Sequence, residues 1–288
     1  MSLLTQLVNL FFSQRRGEID FFMQHPARVQ QQQLERLLTQ AGGTVFGRDH
    51  GFGKIRTSEA VPVADYDSFS EYIGRTRTGE QNVLWPTEIK WFAKSSGTTS
   101  AKSKFIPVSD EGLSGCHLRG PMDVICFFAG LYPKSGVFGG RTLTLGGSHR
   151  LESTGGRAQE GDLSAILIEN TPKWASWRRT PRPETALIPD FEEKVQAICR
   201  EAVPQRVTSF AGVPSWNLVL MNRVLEYTGK QNILEVWPEM ELFVHGGMNF
   251  NPYREQYRRI FPSDTMKYME TYNASEGFFA IQDDPSRD

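Results

Sequence analysis

The chain has 288 residues, of which 39% are hydrophobic and 23% charged, and its formal net charge is −1. This composition is typical of a globular protein with a sizeable core, and the length exceeds the ~100–200 residues of a typical domain. The near-zero charge argues against nucleic acid or acidic lipid as the main partner, and no run of ~18 apolar residues predicts a membrane span.

The N-terminal part of the sequence is predicted to be helical. Apolar residues recur at helical spacing from Leu3 to Phe12, and a second helix is predicted from Pro26 to the Gly-Gly pair at 42–43. A third, short helix is predicted to begin near Asp67. We therefore expect residues 1–87 to form a helical segment packed on the main domain.

The sequence also bears on cellular location and redox state. Arg15-Arg16 follows the first apolar stretch instead of preceding it, and no small-residue cleavage site is evident, so we expect no signal peptide and a cytoplasmic location. Cys116, Cys126 and Cys199 are widely spaced and are expected to be reduced thiols. Neither the cysteines nor the histidines have zinc-site spacing, so any metal is expected to arrive with a nucleotide.

The most informative segment is residues 95–100, a run of five hydroxylated residues and one glycine. It lies between two predicted strands, 88–93 and 103–108. Backbone N–H groups and hydroxyls of such a loop can turn toward one anion, and Lys94, Lys102 and Lys104 add positive charge. A solvated turn between two strands is the simplest interpretation.

Two phosphate-binding interpretations compete with that turn. A P-loop needs a glycine directly before its lysine and a helix after it. Here Ala101 precedes Lys102, and Phe105-Ile106-Pro107 continues as a strand, so the P-loop interpretation fails. The segment instead resembles the phosphate loop of adenylate-forming enzymes, a hairpin linker with the pattern Ser-Ser-Gly-Thr-Thr/Ser followed by Lys. We favour this interpretation because the apolar flanking strands, the run of hydroxyl side chains and the lysines all fit such a loop. The loop residues are Ser95, Ser96, Gly97, Thr98 and Thr99.

Beyond residue 88 the pattern alternates between strands and helices. A helix broken at Gly120-Pro121 is predicted over 113–131. The remaining predictions are strands at 141–145, 207–210, 241–245 and 266–271 and helices at 191–202, 214–227 and 253–260. This alternation predicts an α/β fold with largely parallel sheets covered by helices over residues 88–288. With the phosphate-loop interpretation of residues 95–100, we expect this part of the chain to be the nucleotide-binding region. The basic stretch at 177–182 is expected to be a solvated surface loop.

A second motif, Tyr272-Asn273-Ala274-Ser275-Glu276-Gly277, directly follows a predicted strand. It would place an aromatic ring, a hydroxyl and a carboxylate on a tight turn at the carboxyl edge of a sheet, where α/β proteins usually bind ligands. Considered alone, Tyr272 is more simply a core aromatic and Glu276 a surface carboxylate. Asn-Ala-Ser also matches a glycosylation sequon, which we attribute to chance.

Taken together, the motifs resemble the auxin-responsive Gretchen Hagen family of acyl-acid amido synthetases, a branch of the adenylate-forming superfamily. The resemblance extends over nearly the whole chain and implies an acyl-adenylate-synthetase-like N-terminal domain. The stretches that carry it are Ser95 to Thr99 with Lys104, Ala211-Gly212-Val213-Pro214-Ser215-Trp216, His245-Gly246-Gly247-Met248 and Tyr272 to Gly277.

The resemblance implies an ATP- and Mg²⁺-dependent ligase. A small carboxylic acid would attack the α-phosphate of ATP, and an amine such as an amino acid would then displace AMP. The loop Ser95 to Thr99 and Lys104 would stabilise the phosphates, and Glu276 would hold Mg²⁺. Ser275 would reach the α-phosphate. The implied contacts to adenine are Gly246, Gly247, Met248 and Tyr272, and those to the acyl substrate are His117, Arg119 and Val213.

The sequence also departs from the family pattern. The third family motif, Tyr/Phe-Arg-x-Gly-Asp, is not found, since Tyr253-Arg254 continues as Glu-Gln. The mobile C-terminal domain is missing as well, so we expect a chain that is incomplete relative to the family. Plant members place arginines for the acyl carboxylate where this chain has Gly115 and Cys116. His117 and Arg119, one turn away, are the candidate replacements.

Three functions therefore remain open from the sequence. The first is the adenylate-forming amido synthetase itself. The second is a truncated relative that binds nucleotide without turning it over, which the missing motif and domain favour. The third is a ligase that passes the acyl group to coenzyme A. The sequence does not indicate the oligomeric state or the identity of the acid and the amine.

Overall fold

The computed structural model describes residues 3–95, 103–147, 151–154 and 157–286. The described residues form two compact units, each assembled from separate stretches of the chain. We call them the large unit and the small unit. The large unit comprises Met1–Phe12, Cys116–Arg150 and Leu163–Asp288, and the small unit comprises Ser13–Gly115 and Leu151–Asp162. The division after residue 87 that the sequence suggested stays a prediction.

The bounds of the regular elements are as follows. The helices are α1 Leu3–Phe11, α2 Ser13–Gln24, α3 Pro26–Ala41, α4 Val45–Asp49, α5 Ser70–Arg77, α6 Asp110–Gly112, α7 Arg119–Leu131, α8 Leu163–Glu169, α9 Lys173–Ser176, α10 Pro183–Ala186, α11 Phe191–Ala202, α12 Pro214–Thr228 and α13 Arg254–Ile260. The strands are β1 Trp91–Ser95, β2 Lys104–Val108, β3 Arg141–Thr144, β4 Glu152–Ser153, β5 Gln159–Gly161, β6 Arg179–Thr180, β7 Val207–Gly212, β8 Leu242–Gly246, β9 Lys267–Ala274 and β10 Gly277–Ile281.

The small unit is built on a mixed sheet with strand order β2-β1-β5-β4. Strands β1 and β2 pair antiparallel, from Trp91 opposite Val108 to Ser95 opposite Lys104. The predicted pair of strands on either side of the loop is therefore confirmed. A small core of Ile73, Ile89, Phe92 and Ala158 supports the sheet.

The large unit contains a sheet with strand order β10-β9-β8-β7-β3-β6. Strands β9, β8, β7, β3 and β6 are parallel to their neighbours, and β10 pairs antiparallel with β9. Stacked aromatic rings fill the core on one face, with Phe210 and Phe243 only 4.1 Å apart between ring centroids. Tyr257 of α13 and residues of α11 and α12 pack against them. The predicted α/β class with a largely parallel sheet is confirmed.

Helix α12 shows how local sequence sets an element. Pro214 occupies the first helical position, where its missing N–H removes no hydrogen bond. Gly229 ends the helix in the left-handed conformation with φ of 68°, and its N–H bonds to the carbonyl of Leu225. Between these two signals, Leu218, Leu220 and Met221 turn inward and join the aromatic core.

Three predictions need correction. The basic stretch at 177–182 is not a solvated loop throughout, because Arg179–Thr180 form β6 at the end of the six-stranded sheet and Thr180 is fully buried. The break in the helix over 113–131 does not lie at Gly120-Pro121 but before it. A single π-helical turn spans Leu113–His117, and α7 then begins at Arg119, which puts Pro121 in a first turn that tolerates proline. Strand β9 continues to Ala274 and pairs with β10, so the tight turn is only Ser275-Glu276 between two antiparallel strands.

Two general features complete the fold. The three cysteines are free thiols, with Cys126 and Cys199 buried and Cys116 half-buried. Among the described helices, none has both the length and the apolar character that crossing a membrane requires.

Candidate functional site

The candidate site lies where β7 and β8 end beside the longer strand β9 in the large unit. Gly212 pairs with His245 across β7 and β8, and Gly246 pairs with Thr271 across β8 and β9. Because these strands are parallel, the residues that follow them meet at one edge of the sheet. The structure thus brings Val213, Gly246, Gly247, Met248 and Tyr272 to a common edge.

Two glycines keep that edge free of side chains. A Cβ on Gly246 would lie 2.2 Å from the carbonyl oxygen of Thr271, a distance that no side chain tolerates. Gly247 has φ of +82°, a left-handed conformation that favours glycine, and its Cβ would lie 3.4 Å from a methyl group of Val213. Glycine is thus required at 246 by the close approach of β9 and at 247 by the backbone conformation, and we call these two residues the glycine edge.

The second motif forms the hairpin of β9 and β10. Tyr272 is 59% exposed, and its ring lies 5.0 Å from that of Phe279 between centroids. The turn residues Ser275 and Glu276 are half-buried and exposed, respectively. Ser275 follows Tyr272 by three positions, roughly 10 Å along an extended strand at ~3.3 Å per residue, and Glu276 is the next residue. Tyr272 thus directly follows the residue that pairs with Gly246, and the Glu276 carboxylate lies further along the same hairpin.

Cys116 and His117, the last two residues of a π-helical turn over Leu113–His117, lie against this hairpin. The sulfur of Cys116 accepts a hydrogen bond of 3.2 Å from the N–H of Phe278. His117 is buried, and burial lowers its pKa, while the neighbouring Asn273 side chain opposes that shift. A π-turn inside a helix is frequent at functional sites. Of the predicted acyl-contact residues, the structure places His117 beside the β9–β10 hairpin.

The other predicted substrate residues lie in different settings. Val213 is the residue before α12 and contacts the Gly247 position described above. Arg119 lies at the start of α7, where its Nε is 4.0 Å from a carboxylate oxygen of Asp123 one turn later. Its guanidinium is therefore directed along its own helix.

The predicted phosphate loop belongs to the small unit. Ser95 and Lys104 face each other as the final pair of β1 and β2, so both flank the loop that joins these strands. The ammonium of Lys104 lies 5.4 Å from the ring centre of Tyr66, whose hydroxyl accepts a hydrogen bond from the N–H of Phe105. The loop residues Ser96, Gly97, Thr98 and Thr99 lie outside the described residues.

Buried polar atoms without a hydrogen-bond partner concentrate at the glycine edge. Within the described part of the chain, seven such side-chain atoms occur, on Arg77, His117, Thr180, Gln205, Asn217, His245 and Asn273. Four of them belong to the large unit near the ends of β8 and β9, on His245 of β8, Asn273 of β9, His117 of the π-helical turn and Asn217 of α12. Such atoms are rare in folded proteins because each loses its bonds to water.

The sequence analysis assigned no role to Asn217, His245 or Asn273. Two of them stand inside quoted motifs, so the motifs could have drawn attention to them, but nothing in the sequence distinguishes Asn217 from Asn222, the other amide of the same helix. Burial lowers the pKa of His245 to about 4, and the charge of Arg254 adds to this effect. His245 is therefore a neutral imidazole at physiological pH, stacked on Phe250 at 4.3 Å.

Comparison with known proteins gives the family. The N-terminal domain of the GH3 family matches residues 15–193 and 157–266. Among solved structures, the AtGH3.15 acyl acid amido synthetase in complex with 2,4-DB is similar over 91% of this chain, with a TM-score of 0.73 and 15% identity. A second structure, GH3.15 acyl acid amido synthetase, is similar over 90% of the chain with a TM-score of 0.69 and 15% identity. The chain covers 56% of each of these structures, so their likeness supports the fold of that part.

Sequence relatives agree with the structural ones. Two jasmonoyl–L-amino acid synthetases of Nicotiana attenuata match parts of the chain. JAR6 is 29% identical over 118 residues, which is 38% of this chain and 20% of the relative. JAR4 is 27% identical over 99 residues, which is 33% of this chain and 17% of the relative. With the family match over most of its length and the same fold in solved members, the chain belongs to the GH3 family.

Proposed function

We propose that this chain is the nucleotide-binding part of an ATP-dependent acyl-acid amido synthetase. The observation that carries the proposal is the glycine edge, where Gly246 and Gly247 add no side chain to the backbone and the paired strand β9 carries the exposed ring of Tyr272. An adenine ring needs a flat surface with an aromatic neighbour. The names of the relatives, acyl acid amido synthetase and jasmonoyl–L-amino acid synthetase, supply the reaction class.

The proposed reaction has two steps. A carboxylate oxygen attacks the α-phosphorus of ATP, the bond to the β-phosphate oxygen breaks, and pyrophosphate leaves. An amine nitrogen then attacks the acyl carbon of the adenylate, loses a proton, and AMP leaves. We assign the acid to a small molecule bound near His117, Arg119 and Val213, and the amine to an amino acid. Because ATP and amino acids are cytoplasmic metabolites, we place the reaction in the cytoplasm.

Charge stabilisation is the main task of the protein in the first step. The N–H groups and hydroxyls of Ser95 to Thr99 would donate to the phosphates, and Lys104 would add a positive charge at the base of the same hairpin. Hydrogen bonds to charged groups each contribute about 1.5–3 kcal/mol. Ser275, on the hairpin turn, would donate to the α-phosphate. No covalent protein nucleophile is needed, since positioning and electrostatics suffice.

Glu276 is the residue that would hold Mg²⁺. It is an exposed carboxylate on the turn of the β9–β10 hairpin. Within the described ranges, no three His, Cys, Asp or Glu side chains are grouped to bind a metal by themselves. One carboxylate together with phosphate oxygens is the usual way in which Mg²⁺ binds at nucleotide sites, so the residues fit this ion. Bound Mg²⁺ neutralises charge on the phosphates.

Carboxylate-dependent exchange between ATP and pyrophosphate tests the proposal. Lys104→Ala and Glu276→Gln should each lower the exchange rate about 100-fold, as for the loss of one charge-stabilising group. Lys90→Ala and Glu255→Gln are matched controls, because both side chains are exposed and form surface ion pairs with Asp110 and Arg258. These controls should keep the parental rate.

The same assay separates the alternative functions. Exchange that is insensitive to both Lys104→Ala and Glu276→Gln would contradict the assignment of the site. Tight ATP binding without exchange for any acid would favour the non-catalytic nucleotide-binding relative. Product analysis with amino acids against coenzyme A as acceptor identifies the second step.

A further inference from the structure

Three buried polar side chains lie beneath the glycine edge of the large unit. Asn217 of α12 and Tyr257 of α13 are fully buried, and His245 at the end of β8 is 3% exposed. Their surroundings are otherwise apolar, with Phe210, Phe243 and Phe250 in the same core. A polar layer at this depth needs a physical explanation.

Two of these side chains hold consecutive carbonyl groups where β7 turns into α12. The Tyr257 hydroxyl donates a hydrogen bond of 2.8 Å to the carbonyl oxygen of Pro214. The side-chain amide of Asn217 donates one of 3.1 Å to the carbonyl oxygen of Val213. Side chains of α12 and α13 thus hold the turn between β7 and α12 in place.

Asn217 also sets the conformation of the strand end. Gly212 has φ of +138°, and a Cβ there would lie 2.8 Å from the amide nitrogen of Asn217. The amide thus occupies the space into which a side chain at residue 212 would project. On the neighbouring strand, Gly212 pairs with His245, which directly precedes the two edge glycines.

This arrangement is not the one that stability alone would select. Asn217 Oδ1 and His245 Nδ1 are buried without a hydrogen-bond partner in the described structure. An apolar side chain of similar size would avoid the cost of removing Oδ1 from water. Asn217 therefore combines a hydrogen bond to the Val213 carbonyl with one unpaired buried oxygen at the point where it shapes the turn. Costs of this kind concentrate where a precise backbone geometry serves function.

We propose that Asn217 and Tyr257 are positioning residues of the adenylation site, an inference that rests on the proposed function. They contact neither nucleotide nor acid. They act through the carbonyls of Val213 and Pro214 and so fix the Val213 side chain against the position of Gly247. A small displacement of such a wall changes the alignment of the reacting atoms and lowers the rate steeply.

Two conservative variants test the inference on the full-length protein. Tyr257→Phe removes one hydroxyl and keeps the ring, and Asn217→Leu replaces the amide by an apolar group of similar size. Thr228→Val is the matched control, because the Thr228 hydroxyl donates to the Val224 carbonyl at the opposite end of the same helix at 2.7 Å.

For both site variants we expect kcat of ATP–pyrophosphate exchange to fall at least tenfold. The control should stay within twofold of the parent, and Asn217→Leu should be at least as resistant to urea as the parent. A residue with only a structural role would not lose activity while the protein gains stability. Parental kcat in both variants, or a loss that merely tracks the unfolded fraction, would overturn the inference.

Hydrogen exchange of the peptide covering residues 207–218 provides a readout independent of activity. Its backbone amides should exchange several-fold faster in Tyr257→Phe and Asn217→Leu than in Thr228→Val. If the parent protein has no exchange activity, the proposed function fails, but this measurement still decides whether the two side chains hold the turn. Unchanged protection in both variants would refute the positioning role.

Discussion

Gly246 is the glycine of this edge at which an added side chain would clash most severely. Its backbone passes so close to β9 that a Cβ would lie 2.2 Å from the Thr271 carbonyl oxygen and 3.0 Å from its hydroxyl. Gly246→Ala must therefore push β8 and β9 apart at their carboxyl ends. We expect a loss of about 1–3 kcal/mol in the free energy of unfolding, measured by urea titration with circular dichroism, and a loss of ATP affinity.

Gly17→Ala is the control for that substitution. Gly17 lies inside α2, and a Cβ there would meet no atom within 4 Å. Alanine in the interior of a helix is favoured over glycine by about 0.5–1 kcal/mol, so this variant should be slightly more stable than the parent. If Gly246→Ala were as stable as Gly17→Ala, the close approach of the two strands would be wrong.

His245 predicts an acid sensitivity of the fold. Burial lowers its pKa from the ordinary 6.5 to about 4, so the folded protein keeps this imidazole neutral while the unfolded chain protonates it. The unfolded state then binds more protons between pH 6.5 and 4. Stability is fully present above about pH 6.5 and is lost as the pH falls, by up to about 3 kcal/mol from this residue.

Replacing the imidazole tests that prediction. His245→Phe keeps an aromatic ring stacked on Phe250 and removes the titrating group. Urea titrations at pH 4 to 8 should give a flatter stability profile for His245→Phe than for the parent, although buried His117 contributes in the same direction in both. The exposed His25→Gln variant should follow the parent. Equal slopes for all three proteins would contradict the burial of His245.

At the scale of elements, the start of α7 packs tightly against the β9–β10 hairpin. A Cβ on Gly120 would lie 2.2–2.6 Å from ring atoms of Phe278 on β10. Gly120→Ala must displace this ring and with it the hairpin that carries Ser275 and Glu276. We expect about 1–3 kcal/mol of destabilisation by chemical denaturation, together with a reduced rate of ATP–pyrophosphate exchange.

A double variant separates the local clash from general damage to the helix. Gly120→Ala with Phe278→Leu should recover part of the lost stability, because the smaller side chain leaves room for the added methyl group. Gly74→Ala, in α5 with no atom within 4 Å of its Cβ position, should be neutral or stabilising. If the effects of the substitutions at 120 and 278 on the free energy of unfolding were strictly additive, these two residues would not be energetically coupled.

Elements with a strong local signal could be predicted from the sequence. Helix α11 was predicted at its observed bounds, Phe191–Ala202, because its apolar spacing is regular. Strands β1 and β2 were predicted because a turn-rich loop separates two apolar stretches. Strand β10 was missed because its residues 278–281 are apolar without alternation and become a strand only by pairing with β9. Such pairing is a long-range property.

The residues of the candidate site also differ in whether the sequence alone could predict them. Gly246, Gly247 and Tyr272 stand in motifs whose spacing alone places them after strands, and the structure puts them at one edge. Asn217 could not be found in this way. Its importance depends on its contact with Gly212, on the strand before its helix, and on the depth of its side chain. The helical periodicity of the sequence gives no information on either this contact or the burial of the side chain.

At the scale of the whole molecule, the proposed function predicts stabilisation by nucleotide. A ligand that binds only the folded state stabilises it by RT ln(1 + [L]/Kd), or about 2.7 kcal/mol at a concentration 100 times Kd. A change of 1 kcal/mol shifts the unfolding midpoint by roughly 2–4 °C in domains of 150–250 residues. ATP with Mg²⁺ should therefore raise the midpoint of the parent chain by several degrees.

The pattern across variants decides whether that shift arises at the glycine edge. Gly246→Ala should show almost no shift with ATP, because the added methyl group pushes the ends of β8 and β9 apart, whereas Lys90→Ala should respond like the parent. Glu276→Gln should bind ATP in the absence of Mg²⁺ as the parent does and should lose most of the additional shift that Mg²⁺ gives, since only the proposed metal ligand is changed. Scanning fluorimetry of the four proteins, each with ATP alone and with Mg²⁺, provides the comparison. An equal shift in all four would place the nucleotide elsewhere on the molecule, because the substitutions at 246 and 276 would then be remote from it.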